Sequence, residues 1–349
     1  MPPLFTWKRI WLILILLAAV WLLVSARAAL GPVVAAFILA YLLNPVVGFL
    51  ERKKIPRTPA VIFVLLAVVV LLVLLSVSVA PLVEQQILAF SRSVPGYIQV
   101  IESWAEKTLN RFEILSSGQM SDFISQNLAV IASVPLEALR AGGNVLIRTT
   151  TGLLSLLVTI AFIALIPVMT FYILRDLNEI GKNFYLFIHR DYRDEVRNRL
   201  TRLDDVLGTF IKGQFIVGLI LAALYTVGFY FSDVPLWLVL GIVTGLASMV
   251  PYLGLIVGLP TAVALTAIQH QDFIHPLMIL LVFVIVFSAE GALIVPRVVG
   301  SKVGLHPVVI IFSVLVGAEV LGFVGVLIAV PLAAMVKVGL EALYDYYIV

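Results

Sequence analysis

Along most of the chain, apolar residues run unbroken for the thickness of a bilayer instead of alternating with polar ones. A helix needs about 20 apolar residues to cross a hydrocarbon core of ~30 Å. Runs of that kind cover Ile10–Leu30, Pro32–Leu50, Ala60–Val83, Thr151–Leu174, Thr209–Phe231 and Leu277–Val295. Two longer apolar regions, Leu236–Ile268 and His306–Val338, are interrupted by Gly and Pro, and each reads as a hairpin of two half-length or full helices. In lipid, backbone groups must be satisfied within the segment, which long apolar runs achieve as helices. The pattern therefore predicts an all-α, polytopic integral membrane protein with about eight membrane segments, two of them Gly/Pro-broken hairpins.

The polar stretches divide the chain into four parts: 1–83 with three membrane helices, 84–150 outside the membrane, 151–207, and a core over 208–349. In the second part, Ile98, Ile101, Ala105 and Leu109 recur at three- and four-residue steps, which predicts helix. The third joins the fourth span to a charge-rich stretch, Asp176–Asp205. There Tyr192, Val196, Leu200, Leu203 and Leu207 share one helical face, and Glu195 and Arg199 form an i,i+4 pair. That face fits an amphipathic helix lying on the membrane or on a neighbour; a coiled-coil oligomerisation helix would need a longer repeat.

Composition agrees with the pattern. Of 349 residues, 62% are hydrophobic and 12% charged, with mean hydropathy +1.13. That is more apolar surface than a globular core buries. A net charge of +3 and a pI near 9.1 are mildly basic, but the basic residues sit in short loops and speak to topology, not to nucleic acid. With the N-terminus in the cytoplasm, 17 Lys and Arg fall inside and 6 outside, which places both termini inside. Lys8 and Arg9 before Ile10–Val24, with Ala26-Arg27-Ala28 after it, imitate a signal peptide and its cleavage site. A second apolar run follows at once, so Ile10–Val24 is read as a retained span. The absence of cysteine excludes disulfides and thiolate metal sites. Four histidines lack zinc-ligand spacing, and no Walker A loop, H-E-x-x-H or G-x-S-x-G occurs. No enzyme activity, cofactor, metal or nucleic-acid partner is expected.

Gly254-Leu-Ile-Val-Gly-Leu-Pro260 and Gly325-Val-Leu-Ile-Ala-Val-Pro331 hold Gly and Pro at one separation, and each broken region follows one ordinary span. Unit 208–271 starts inside and unit 275–338 starts outside, the arrangement of an inverted repeat, in which broken helices mark a solute site near the midplane. Chemistry is expected at ionisable residues inside apolar runs. Glu290 and Glu319 are the candidates for proton or cation coupling, since a charge at the bilayer centre costs about 2.5–3.5 kcal/mol and faces a cavity or a partner. For Glu290 the alternatives are snorkelling at the cytoplasmic end or pairing with Arg297. Gln214 is a candidate for lining a pathway, Lys212 an interface anchor and Asn44 a helix cap. Asp233 and Asp272 fall in outside turns and read as solvated. The pairs Gly241/Gly245 and Gly254/Gly258 predict close helix contact within or between subunits.

Several motifs resemble the autoinducer-2 exporter (AI-2E) family of bacterial transporters, over nearly the whole chain. They are Ala40-Tyr-Leu-Leu-Asn-Pro45, Pro251-Tyr-Leu-Gly254 with Pro260, Glu290-Gly-Ala-Leu-Ile-Val-Pro296, Gly304-Leu-His-Pro307, Gly322-Phe-Val-Gly325 and Ala329-Val-Pro331. One departure is Ala292, where many members carry Asn. The resemblance implies a secondary transporter in the bacterial inner membrane, working by alternating access and driven by an ion gradient. Its substrate would be a small polar solute such as an autoinducer-2-like signal; similar proteins are also associated with sodium/proton antiport, which would make the partner a monovalent cation or proton. Pro251, Gly254, Pro260, Pro296, Gly322, Gly325 and Pro331 would shape the moving hairpins. With the cytoplasmic helix and the glycine pairs, the resemblance also implies a homo-oligomer in membrane lipid, such as a pentameric ring. From a different class, a structural or assembly protein would use the glycines for packing alone.

Overall fold

A computed structural model describes residues 25, 27–112, 164–177, 193–299 and 305–348. Among the described residues there is no strand; the chain is helices and short turns. Helix α1 spans Arg27–Arg52, α2 Arg57–Phe112, α3 residues 164–177 and α4 Arg193–Phe231. Then come α5 (Trp237–Ala247), α6 (Leu253–His270), α7 (Ile274–Ala289), a π-turn over Glu290–Ile294, and α8 (Val295–Val298). The last two are α9 (Pro307–Leu321) and α10 (Phe323–Ile348).

Among the described residues six helical stretches are long and apolar enough to cross a membrane: Leu30–Arg52, Arg57–Ile101, Val196–Phe231, Leu253–His270, Ile274–Val298 and Val324–Glu341. The shorter apolar helices α5 and α9 complete the two hairpins expected over Leu236–Ile268 and His306–Val338. Large apolar side chains such as Phe63, Leu66, Leu74 and Val77 stand exposed along α2, as a lipid-facing helix requires. Two expected boundaries fall inside continuous helices. The span Ala60–Val83 runs on to Phe112, and the charged stretch before residue 208 is one rod with the span after it. At 207–208 the sequence offers a lone glycine and no proline, which is too weak a breaker to stop a helix anchored by an apolar run. The expected span at Ile10–Leu30 for the most part, residues 113–163 and residues 178–192 lie outside the described residues.

The chain divides into two compact units, one drawn from 1–66, 159–213 and 299–349, the other from 67–158 and 214–298. In the first, Ala40, Val47, Ala60, Val61, Val64 and Leu174 form the core where α1, α2 and α3 meet. Arg57 pins that junction. Its Nε donates to the carbonyls of Leu174 (3.1 Å) and Arg175 (2.8 Å), its Nη2 to Leu174 O (2.7 Å) and Asn44 Oδ1 (3.3 Å), and its Nη1 to both Glu51 oxygens (3.2 and 3.0 Å). One guanidinium thus serves two carbonyls in the last described turn of α3 and ties them to α1. Asn44, expected as a cap, is one of its acceptors. In the same unit α9 crosses α10 at Gly317 and Gly325, where a Cβ on either would run into the other's backbone. Val324 of α10 lies against Gly31 of α1.

The second unit packs the C-terminal half of α4 with α5, α6 and α7. Tyr225, Phe229 and Phe283 make a buried aromatic cluster with centroids 4.8–5.9 Å apart. Gly241 and Gly245 admit the backbone of α4 at Thr226 and Ala222, and Gly258 admits Thr244. Gln86 of α2 accepts from Leu238 N–H (3.3 Å), one of the open donors at the start of α5.

Two stability predictions follow from these contacts. Gly325→Val should lower the Tm of the purified protein sharply, because backbone cannot yield to the new side chain, while Gly339→Val, where a Cβ meets nothing within 4 Å, should leave it unchanged. Arg57→Gln should cost about 3–5 kcal/mol by stranding Glu51 and the α3 carbonyls, and Arg57→Lys, without the planar fork, should recover only part.

Candidate functional site

Helix α7 and its continuation form one apolar segment, Ile274–Val298, whose hydrogen bonding changes at Glu290. Val295 N–H donates to Glu290 O, a five-residue step, so the backbone widens there. The cause lies one residue on: Pro296 has no N–H, so one carbonyl in the preceding turn cannot find its helical donor. A π-turn shares out that deficit, and in membrane helices such turns gather at functional positions. Glu290 opens the turn at about two-thirds of the segment's length, taking 1.5 Å per residue. Its side chain is half-buried, in electrostatic range of the buried Tyr225 hydroxyl. Beside it Gly291 leaves open space, since a Cβ there would meet nothing within 4 Å. Arg297 does not neutralise Glu290: exposed, it donates from Nη1 to Leu293 O (3.4 Å) on its own turn.

Gln214, expected to line a pathway, donates from Nε2 to Ser248 O (3.2 Å). That carbonyl closes α5, so the amide holds the bend of the first hairpin. Ser248 Oγ donates back to Thr244 O (2.9 Å), and Tyr252 takes a left-handed φ of 68° to launch α6. Half-buried Pro251 stands in this bend. Buried Gly254 lies where a Cβ would strike Ser248 Oγ and Thr244 O. Exposed Pro260 deprives Ile256 O of its helical donor.

The second hairpin turns on a single residue, Gly322, at φ 62° and ψ −141°, a conformation essentially closed to side chains. Gly322 N–H donates to Ala318 O (2.9 Å) and Val326 N–H to Gly322 O (3.1 Å). Half-buried Pro331 lies inside α10, as Pro260 lies inside α6. Glu319 sits on α9, two residues past the Gly317 crossing, with its side chain exposed. Glu290 belongs to the second compact unit and Glu319 to the first.

Other polar groups were not visible in the sequence as a set. In the first unit the Tyr41 hydroxyl donates to the Asp204 carboxylate beside a cleft of about 110 Å³, lined also by Asn44, Asp205, Thr209 and Lys212. In the second, Asp272 accepts from His275 N–H (3.1 Å) and its other oxygen meets His275 Nδ1 (2.8 Å), so it caps α7 where the sequence suggested a solvated side chain. An acid three residues before His275 at a helix start is a recognisable capping pattern. The partners 37 or more residues apart carried no such signal. Among the described residues no group of three or more His, Asp or Glu side chains is placed to hold a metal ion.

Comparison with known proteins fits this geometry. A family model described as "AI-2E family transporter" matches residues 10–345. YrrI of Bacillus subtilis, provisionally named a transport protein, is 26% identical over 311 residues, covering 88% of this chain and 84% of YrrI. YueF of the same organism, named likewise, is 28% identical over 88% of this chain and 82% of its own length. PerM of Escherichia coli K12, provisionally named a permease, is 26% identical over 97% of this chain and 94% of PerM. The match to the family model spans nearly the whole sequence, broken hairpins and acid-bearing span included, and the chain belongs to the AI-2E transporter family.

Proposed function

We propose that the protein is a secondary transporter that exports a small polar solute, of the autoinducer-2 type, across the bacterial inner membrane with both termini in the cytoplasm. The observation that carries the reading is Glu290 at the π-turn: an acid with no Arg297 contact, on a widened backbone, inside a membrane-length apolar segment. A carboxylate there faces a cost of about 2.5–3.5 kcal/mol unless a cavity, a proton or a solute attends it. The carbonyl freed by Pro296 adds an acceptor beside it, so the turn offers a polyhydroxylated solute acceptors without a charged partner. Pro260 and Pro331 free one carbonyl each in their own hairpins. Movement would come from the hairpins, with Gly322 as the corner of the second and the Ser248–Tyr252 bend as that of the first. Glu319, exposed on α9, is the second coupling candidate. The copies would assemble as a homo-oligomer, such as a pentameric ring, through surfaces other than the glycine pairs.

The test is uptake of labelled autoinducer-2 into inverted vesicles under an imposed ion gradient, with a sodium pulse as a separate arm. Wild type should accumulate solute; Glu290→Gln should cut the rate roughly tenfold or more while the protein inserts and melts normally. Glu319→Gln should reduce coupling to the gradient more than binding. A wild-type protein that discharges a proton gradient on the sodium pulse and moves no solute would replace export by sodium/proton antiport. Carboxylates that prove inert in both arms would leave a structural role.

A further inference from the structure

At the ends of the first hairpin the second unit carries a titratable cluster that transport does not use. α5 begins just after the turn holding Asp233, and α6 ends at His270. His270 and His275 stack face to face, centroids 3.6 Å apart and planes 8° from parallel. His270 Nε2 lies 3.3 Å from Asp233 O, 3.5 Å from Asp233 Oδ2 and 3.2 Å from Gln269 Nε2. Tyr97 of α2 donates to Gln269 Oε1 (3.1 Å). We propose that this cluster is a proton-operated latch, in which a charged His270 ties the α4–α5 turn to the end of α6 and so clamps the two ends of the first hairpin at acid pH.

Charge supplies the reason. Around Nε2 stand two acceptors from Asp233 and one donor, the Gln269 amide. A proton on Nε2 serves the two oxygens in the neutral or the charged ring once the Gln269 amide turns over, and what the charged ring alone adds is attraction to the Asp233 carboxylate. With the ring charged, Nε2–H is fixed, a carboxylate answers the charge, and Gln269 resolves its conflict by turning its amide over. The Tyr97 hydroxyl can donate or accept, so it serves either amide orientation.

The surroundings favour one charge. His270 is the last residue of α6, where the helix dipole supports a cation. His275 is the platform: its Nδ1 is held by Asp272 at 2.8 Å, and its ring face lies under His270. A cation over a neutral ring is attracted, whereas two imidazolium rings at that spacing repel. The titratable groups facing His270 among the described residues are therefore Asp233 from the α4–α5 turn, Asp272 and His275 from the start of α7, and Tyr97 from α2.

Asp272 does not set the switching range. The His275 N–H, then the His275 ring, hold its carboxyl below the usual range. A depressed acid keeps its contribution above its ordinary value near ~4 and loses it only as pH falls through the folded value, so it stays ionised from pH 8 to 5. Histidine changes charge within that range. Both turns also hold a left-handed non-glycine residue, Asp233 at φ 48° and Gln271 at φ 52°, a conformation that relaxes when ties are released.

The test is hydrogen–deuterium exchange on the full-length protein in nanodiscs at pH 8 and pH 5, corrected for intrinsic rates, reading the turns at 232–237 and 270–274. Wild type should gain protection there by roughly two- to fivefold at pH 5, the range of an exposed ion pair. His270→Gln, which keeps hydrogen bonding but not charge, should lose that gain. Asp233→Asn should lose it too with both histidines in place, a control should His270→Gln merely loosen the turn at both pH values. No gain in wild type, or a gain retained in Asp233→Asn, would overturn the latch. The readout is local structure, so the result is independent of whether any solute is transported.

Discussion

A backbone carbonyl stripped of its N–H partner has no water to turn to in hydrocarbon, and much of this structure consists of answers to that constraint. Pro296 takes away a donor, and the helix answers with a π-turn that begins at Glu290. The Leu174 and Arg175 carbonyls in α3 accept from the Arg57 guanidinium. The Ser248 carbonyl at the end of α5 accepts from the Gln214 amide. Polar side chains that look like pathway residues in a sequence are partly committed to this work. Glu290 has no such duty, and it stands at the turn where the backbone has widened.

The glycines answer a second constraint, the space between helices. Gly317 and Gly325 bring α9 and α10 to backbone contact, Gly254 does so against Thr244 O at α5, and Gly258 admits the Thr244 side chain. In both hairpins the glycine of the matched Gly…Pro motif, Gly254 or Gly325, packs against the half-helix preceding it. The corners differ: one is the Ser248–Tyr252 bend with a side-chain clasp, the other a single Gly322. The likeness of motif thus extends to packing, while the bends differ in construction. These glycines are spent inside the chain, so they give no surface for a second copy.

The apolar runs made the membrane class, the spans among the described residues and both hairpins legible, because burial in lipid needs only length and composition. The positions of Glu290, Pro296 and Gly322 were equally plain, since each is a polar or conformationally special residue in an apolar field. Three things were hidden. The continuity of α4 through Gly208 depends on tertiary anchoring, which a weak local breaker does not report. The Arg57 clamp joins residues 117 and 118 positions apart to an acid six away, and only the second partner is local. The meeting of Asp233 with His270, 37 residues on, arises because α5 and α6 return the chain to the side it left.

Ala292 shows how these strands of argument meet. It lies within the π-turn, two residues past Glu290, where many relatives of the resemblance carry an amide. An Asn there would add a side-chain donor to the turn; alanine adds none. The deficit in this chain is therefore left to the backbone geometry, which widens at the π-turn.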